Sequence, residues 1–237
     1  MLHFEERVAR LREYLRCDHR YDSAYLARPF IAEFTGSPSS GKTTCITELD
    51  KGLRRLKLRV WRPQEGAEVI RHIERTTPVY NIRTGLYALT TLLDVCSGHQ
   101  YDVVLLDRGV FDVHTWMMYW QDKNQLTEEE KILIQSFFQL RFWIEKVDVA
   151  YFMICDPKKA MERELKIALT DTMGDFTNHE TITKLANRYK NAYEELKGRH
   201  PQLHLIDTTD LSEEAMVNLI AEKTLLAFEK HLPATAT

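Results

Sequence analysis

The sequence predicts an α/β domain in which a five-stranded parallel sheet is covered by helices on both faces. Three observations predict it. Five short apolar runs alternate with longer segments of helical period, the pattern of strands buried on both sides by crossover helices. The turn after the first run, FIAEFTGSPSSGKTT, carries G-x-x-x-x-G-K-[ST] from Gly36 to Thr43. And 237 residues are enough for one substantial core without requiring a second, with no Pro/Gly/Ser-rich linker dividing the chain. Residues 1–237 are therefore read as a single domain, with a helical extension at 1–28 and a lid region at about 156–178.

The apolar runs are Phe30–Phe34, Leu56–Trp61, Tyr101–Leu106, Val149–Ile154 and Leu203–Ile206. The helical patterns cover 42–55, 65–75, 84–97, 110–121, 128–146, 157–169, 180–197 and 212–230. Phe4, Val8, Leu11 and Leu15 share one face of a further helix at 3–16. Thr127 followed by Glu130 reads as a capping box, and Ser212 as a weaker start signal. In such sheets ligands bind beyond the carboxyl ends of the strands, so the residues just after each run are the candidates for function.

Composition excludes several classes. A net charge of -3 argues against a general nucleic-acid or membrane-surface binder. No apolar run approaches the roughly 20 residues that span a bilayer. The charged N-terminus, MLHFEERVARLREYLR, has no apolar signal core. Cys17, Cys45, Cys96 and Cys155 are scattered without a C-x-x-C pair, as expected of free thiols in a reducing compartment. The expected location is the cytoplasm.

The Gly36–Thr44 loop carries the chemistry. Gly36 and Gly41 permit a tight turn whose backbone N–H groups, along Ser37, Pro38, Ser39 and Ser40, can cradle phosphates. Lys42 brings a positive charge to the β/γ oxygens, the Thr43 hydroxyl can ligate Mg²⁺, and Thr44 opens the following helix. The run VVLLDRG ends in Asp107 at the sheet's carboxyl edge, where a carboxylate can hold the metal directly or through water. Neither a guanine-reading N-K-x-D nor an L-S-G-G-Q-like signature is present, which favours a compact phosphotransferase over a switch or a transporter motor.

From Phe30 to Leu226 the chain resembles the P-loop nucleoside and nucleotide kinases, the deoxynucleoside kinase and thymidylate kinase group. Four features in order carry the resemblance: the P-loop, Glu65 in RPQEGAEVIR, the pair Asp107-Arg108, and the basic helix DPKKAMERELK. A late segment, ANRYKNAYEEL, is similar as well. The resemblance implies a three-layer P-loop NTPase fold with strand order 2-3-1-4-5 and a helical lid, ATP as donor and Mg²⁺ as its metal. It implies Glu65 as the base, Arg108 as the group that orients the acceptor or neutralises the transferring phosphate, and Arg163 as the lid cation beside Lys159 and Lys166. Lys42, Glu65, Asp107, Arg108 and Arg163 are thus the catalytic candidates, and Thr43 with Asp107 the metal candidates. Asp207 and Thr208, after the last strand, fall where the family holds the adenine end of the donor. There are departures: Thr35 stands before Gly36 with Glu33 further back, Gly109 follows Asp107-Arg108, and Gln64-Glu65-Gly66 replaces Arg-Glu-Pro.

Two acceptors remain open. A nucleoside offers a neutral hydroxyl that needs a base, which is what Glu65 would supply. A nucleoside monophosphate is anionic and wants arginines, for which Arg62, Arg71, Arg75 and Arg83 are available. Arg62, Tyr80, Asn81, Arg83, Asp112 and Trp116 are the acceptor-binding candidates, each of which also reads as a surface, loop or core residue. GDFTN, 174–178, reads as a loop able to close on substrate or as a plain turn. A kinase acting on a nucleic-acid end or modified base, and a regulatory ATP-binding protein of low turnover, are the alternatives. The apolar faces of 84–97 and 128–146 allow a homodimer.

Overall fold

The computed structural model describes residues 28–98, 100–167 and 179–232, with positions 6, 7, 12, 15 and 26. Most of the 1–28 extension and the GDFTN segment lie outside these residues. Glu6, Arg7, Arg12 and Leu15 are helical.

Five strands form one sheet: β1 (Phe30–Gly36), β2 (Val60–Trp61), β3 (Val103–Asp107), β4 (Val149–Ile154) and β5 (Leu203–Asp207). Their order is β2-β3-β1-β4-β5, as the resemblance implied. Every pairing is parallel. The helices are α1 (Lys42–Arg55), α2 (Gly66–Val69), α3 (Pro78–Ser97), α4 (Asp112–Asp122), α5 (Glu128–Phe138), α6 (Arg141–Ile144), α7 (Pro157–Ile167), α8 (His179–Leu196) and α9 (Glu213–Glu229).

Strand alternation divides the core into two layers. Phe30, Ala32, Phe34, Val103, Leu105, Tyr151 and Met153 pack with Cys45, Ile46 and Leu49 of α1 and Met216, Ile220 and Phe228 of α9. Ile31, Val104, Leu106, Ala150 and Phe152 face the other way, onto Leu89 and Leu92 of α3, Trp116, Met117 and Trp120 of α4, and Leu185 and Tyr189 of α8. On that second face Glu33 and Thr35 continue the alternation of Ile31, so two polar side chains enter a buried layer beside α4. On the first face Arg7 pairs with Glu222 and Glu229 of α9.

The helix boundaries differ from the sequence expectations in three places. The third helix begins at Pro78, not 84, because the Thr77 hydroxyl accepts from the Tyr80 N–H and proline occupies the first turn. Gly85 does not break it: a Cβ there would press on Val113 and on Phe138, so its lack of a side chain admits the neighbouring helices. The 65–75 pattern yields only Gly66–Val69, because Ile70 turns to an extended backbone and buries its side chain. The 128–146 pattern splits at Gln139–Leu140 into α5 and α6, the first started by the expected Thr127–Glu130 capping box. The strand expected at Leu56–Trp61 shortens to two residues because Lys57, at φ +61°, turns the chain after α1.

Exposed apolar side chains occur on the faces singled out for a homodimer, among them Leu86 and Leu93 of α3 and Leu133 and Phe137 of α5. Among the described residues no helix is long and apolar enough to cross a membrane, and Cys45, Cys96 and Cys155 form no disulfide.

At the carboxyl end of β1 the backbone of Gly36 runs against β4 at φ +147°, and a Cβ would collide with the Met153 carbonyl. The obstacle is main chain in the centre of the sheet and cannot move aside. Gly36→Ala is therefore expected to destabilise the fold by roughly 3 kcal/mol or more, the range of severe backbone and overpacking mutations. A urea midpoint unchanged from the parent would refute this.

Candidate active site

The loop between β1 and α1 has the geometry of a phosphate cradle. Gly41, at φ +91°, leads into α1, and a Cβ on it would lie 2.5 Å from Met216 Sδ. Ser39 also takes a positive φ, +54°. Lys42 is buried, and its Nζ donates to the carbonyls of Ser37 (2.9 Å) and Gly36 (3.2 Å). Burial lowers its pKa to about 8, helped by Arg108 and opposed by Asp107, Asp112 and Glu65. The Ser37 and Ser40 hydroxyls are buried with no partner among the described residues. A cleft of about 770 Å³ opens over the loop, lined among others by Lys42, Thr43, Thr44, Arg163, Leu211 and Met216.

Parallel pairing of β1 with β3 sets Phe34 opposite Asp107, which brings Asp107 beside the cradle. The Thr43 hydroxyl donates to Asp107 Oδ2 at 3.2 Å, while Asp107 Oδ1 is buried with no partner among the described residues. One hydroxyl and one carboxylate with an orphaned oxygen fit Mg²⁺, which keeps several waters and substrate phosphates among its ligands. No group of three or more His, Cys, Asp or Glu side chains among the described residues forms a metal cage. The donor set thus suits a metal that arrives with the nucleotide.

Arg108 stands at the centre of the second half of the site. Its backbone is at φ +61°, an uncommon region for a side-chain-bearing residue, and its N–H donates to the Phe34 carbonyl at 2.8 Å. The guanidinium donates to Glu65 Oε1 (3.0 Å), Asp112 Oδ1 (3.0 Å) and the Tyr189 hydroxyl (2.7 Å). Burial opposes this charge, but Asp112, Tyr189, Glu65 and Asp107 hold its pKa above the ordinary value. Asp112 accepts from four donors: the hydroxyls of Thr35 and Tyr189, the Arg108 guanidinium and the Trp116 indole N–H. Three of these donors meet Oδ1 and only the indole meets Oδ2, so Oδ1 is fully engaged in orienting its neighbours while Oδ2 can still accept from a ligand. Burial pushes the Glu65 carboxyl up, with Arg108 opposing it, and Glu65 Oε2 has no protein partner among the described residues.

These groups line a cavity of about 160 Å³ between α2, α3 and α4. Of the acceptor candidates, Tyr80, Asn81, Asp112 and Trp116 line it, together with Glu65 and Arg108; Arg62 and Arg83 do not. Tyr80 and Asn81 are on the first turns of α3, not on a loop between helices. The Tyr80 hydroxyl is buried with no partner among the described residues, and the Asn81 side-chain carbonyl accepts from the Trp120 indole N–H (2.8 Å). Arg75, weighed earlier only with the other arginines, is at the cavity rim with its guanidinium 6.0 Å from the Tyr80 ring.

Arg163 and Thr208 form one structural unit. The guanidinium donates to the Thr208 carbonyl (2.7 Å) and hydroxyl (3.1 Å) and weakly to the Ser39 carbonyl (3.4 Å). The Thr208 hydroxyl donates to the Ser40 carbonyl at 3.0 Å. The first turns of the lid helix are thereby tied to the cradle and to the end of β5. Asp207 accepts from the Thr209 N–H and hydroxyl at the exposed end of that strand.

Sequence reasoning missed two residues. Tyr189 lies 81 positions from Arg108; the Arg-Tyr-rich segment pointed to its helix but not to its contact. Glu33 is fully buried, and its Oε1 accepts the N–H groups of Gly109 (3.1 Å), Phe111 (3.0 Å) and Asp112 (3.2 Å). A lone Glu in an otherwise apolar strand was the available signal.

Neither a protein-family model nor a curated protein matches the chain. Solved structures do. A deoxyadenosine kinase from M. mycoides, with the products dCMP and a flexible dCDP bound, aligns with a TM-score of 0.60 at 15% identity, covering 82% of this chain and 98% of that one. With dATP bound, that kinase aligns at 0.59 and 17% identity, and with dCTP at 0.55 and 15%, over the same shares of each chain. At these identities the likeness shows the fold alone, the five-stranded parallel sheet of order β2-β3-β1-β4-β5 with helices on both faces.

Burial and Asp112 push the Glu33 pKa up to about 8, against the three N–H groups that favour the anion. A carboxyl raised in the folded state stabilises the fold fully below its unfolded pKa and loses that contribution as pH rises through about 8. The parent is thus expected to lose stability relative to Glu33→Gln between pH 6 and 8.5. Parallel urea titrations at the two pH values measure it; a constant difference would contradict the shift.

Proposed function

We propose that the protein is an ATP-dependent kinase that transfers the γ-phosphate to a hydroxyl of a nucleoside, with a nucleoside monophosphate as the alternative acceptor. The observation that carries this reading is the Glu65–Arg108 pair on the wall of a cavity beside the phosphate cradle. A desolvated carboxylate with one oxygen held and the other unpartnered is suited to take a proton from a neutral hydroxyl. The charge balance supports the nucleoside. The cavity lining holds two carboxylates, Glu65 and Asp112, against two arginines, and Arg108 is already committed to both carboxylates. A monophosphate would have to rely on Arg75 at the rim. That the M. mycoides kinase is described with dATP, dCTP and dCMP supports the same class of ligand.

In this reading the loop N–H groups and Lys42 hold the donor phosphates, and Arg163, anchored at Ser39 and Thr208, keeps the lid helix over the cradle. Thr43 and Asp107 would hold Mg²⁺, which neutralises phosphate charge when bound. Glu65 accepts the hydroxyl proton as the phosphoryl group leaves ADP, and Arg108 fixes Glu65 while its positive charge faces the transferring group. Asp112 and Tyr189 hold Arg108 in place. Trp116 and the Tyr80 and Asn81 side chains give the acceptor an aromatic wall and two polar contacts.

Incubating the protein with ATP and a panel of nucleosides, nucleotides and 5′-hydroxyl oligonucleotides, with ADP release as the readout, tests the class. Turnover with nucleosides is expected; release that no acceptor raises above water would sink the kinase reading. Lys42→Ala should abolish transfer. Glu65→Gln should lower kcat by about a hundredfold or more with ATP affinity kept, the usual yield of general-base catalysis. A near-parental kcat in Glu65→Gln would remove it as the base and favour a phosphate acceptor.

A further inference from the structure

Glu33 has no part in the chemistry described above, yet it is a carboxyl with no solvent exposure in the central strand. A buried carboxyl persists only where donors compensate for lost water. Here the compensation is concentrated on one oxygen: Oε1 takes the N–H groups of Gly109, Phe111 and Asp112, while Oε2 is buried with no partner among the described residues. A second observation is independent of those bonds. A Cβ on Gly109 would overlap the Glu33 carboxyl, so a glycine at this position is what lets the side chain reach the amides. The same turn is fastened to β1 a second time, through the Arg108 N–H on the Phe34 carbonyl. Between the two fastenings lies Arg108, with a backbone conformation that side-chain-bearing residues rarely hold unless their surroundings impose it.

We propose that Glu33, with Gly109 as its required partner, is a positioning residue for phosphoryl transfer: it clamps the 108–112 turn so that Arg108 and Asp112 meet Glu65 and Thr35 in the reactive arrangement. This rests on the kinase reading. Glu33 touches no substrate and acts through Arg108. Because the clamp sits between β1, which feeds the phosphate cradle, and α4, which walls the acceptor cavity, it sets the spacing of the two halves of the site. Misplacement of about 1 Å at a reacting group costs on the order of a hundredfold in rate.

The test compares Glu33→Leu, which fills the space without accepting hydrogen bonds, with Glu33→Gln, which keeps an acceptor oxygen, and with Gly109→Ala. Readouts are kcat, the dissociation constant for ATP, the melting midpoint, and hydrogen exchange of the Phe111 and Asp112 amides. Glu33→Leu is expected to lower kcat about a hundredfold, with ATP affinity within about threefold of the parent. Exchange at the two amides should speed up at least tenfold, and Glu33→Gln should recover most of both losses. Gly109→Ala, which displaces the carboxyl, should follow Glu33→Leu and carries the same readouts if that variant does not fold. A folded Glu33→Leu or Gly109→Ala protein with parental turnover and slow amides overturns the proposal. So does a loss of turnover, ATP affinity and melting midpoint together without recovery in Glu33→Gln, since that is a purely structural role. Should the parent transfer phosphate to no acceptor, the kinase reading fails by itself; amide exchange unchanged in the variants would then overturn the clamp, and accelerated exchange would uphold it.

Discussion

The Arg108 guanidinium, partly buried between Glu65 and Asp112, is the constraint on which the rest of the site depends. A cation withdrawn from water requires anions at short range, and removing either partner leaves an uncompensated charge. Two carboxylates from different elements satisfy it, one at the start of α2 and one at the start of α4. Their positions follow from the sheet, because Glu65 comes shortly after β2 and Asp112 shortly after β3, adjacent strands at one carboxyl edge. Tyr189 closes the arrangement from α8, and Thr35 joins it to the strand that feeds the phosphate loop. One ionic cluster therefore couples four elements that are far apart in sequence.

Charged groups line both the cleft over the loop and the cavity beside it. The cleft over the loop is lined by Lys42 and Arg163 and also by the carboxylates Glu48, Glu164 and Glu213. In the acceptor cavity the charges are already balanced within the protein. Lys42 reports the crowding: burial and Arg108 together pull its pKa down to about 8 despite three nearby carboxylates. Bound phosphate would restore the balance, which ties donor binding to the charge state of the loop.

The clearest physical signals in the sequence were local ones. Strand-loop-helix order around Gly36–Thr43, the Asp107 at the end of an apolar run, the capping box at Thr127 and the alternation of the sheet were all readable, because each depends on residues within one turn or strand. The Pro78 start of α3 was also written locally, in Thr77-Pro78, although the helix was expected to begin at 84; that Gly85 inside it admits Val113 and Phe138 was not readable. That distinction belongs to packing, not to propensity.

What the sequence determined by itself was therefore the fold class and the strand-loop-helix of Gly36–Thr43, and it singled out Asp107, Glu65 and Arg108 as residues at the carboxyl edge of the sheet. Their patterns are short in range and chemically specific. Only the tertiary structure decided which arginines line the cavity beside the loop. Arg75, on the segment ahead of α3, reaches the cavity rim, while Arg62, just after β2, and Arg83, on α3 itself, do not line it. It likewise decided that Asp112 and Tyr189 serve Arg108, and that Glu33 holds the turn beside it. These contacts span roughly 80 positions of sequence, and parallel strand pairing, which no local pattern encodes, brings them within hydrogen-bond distance.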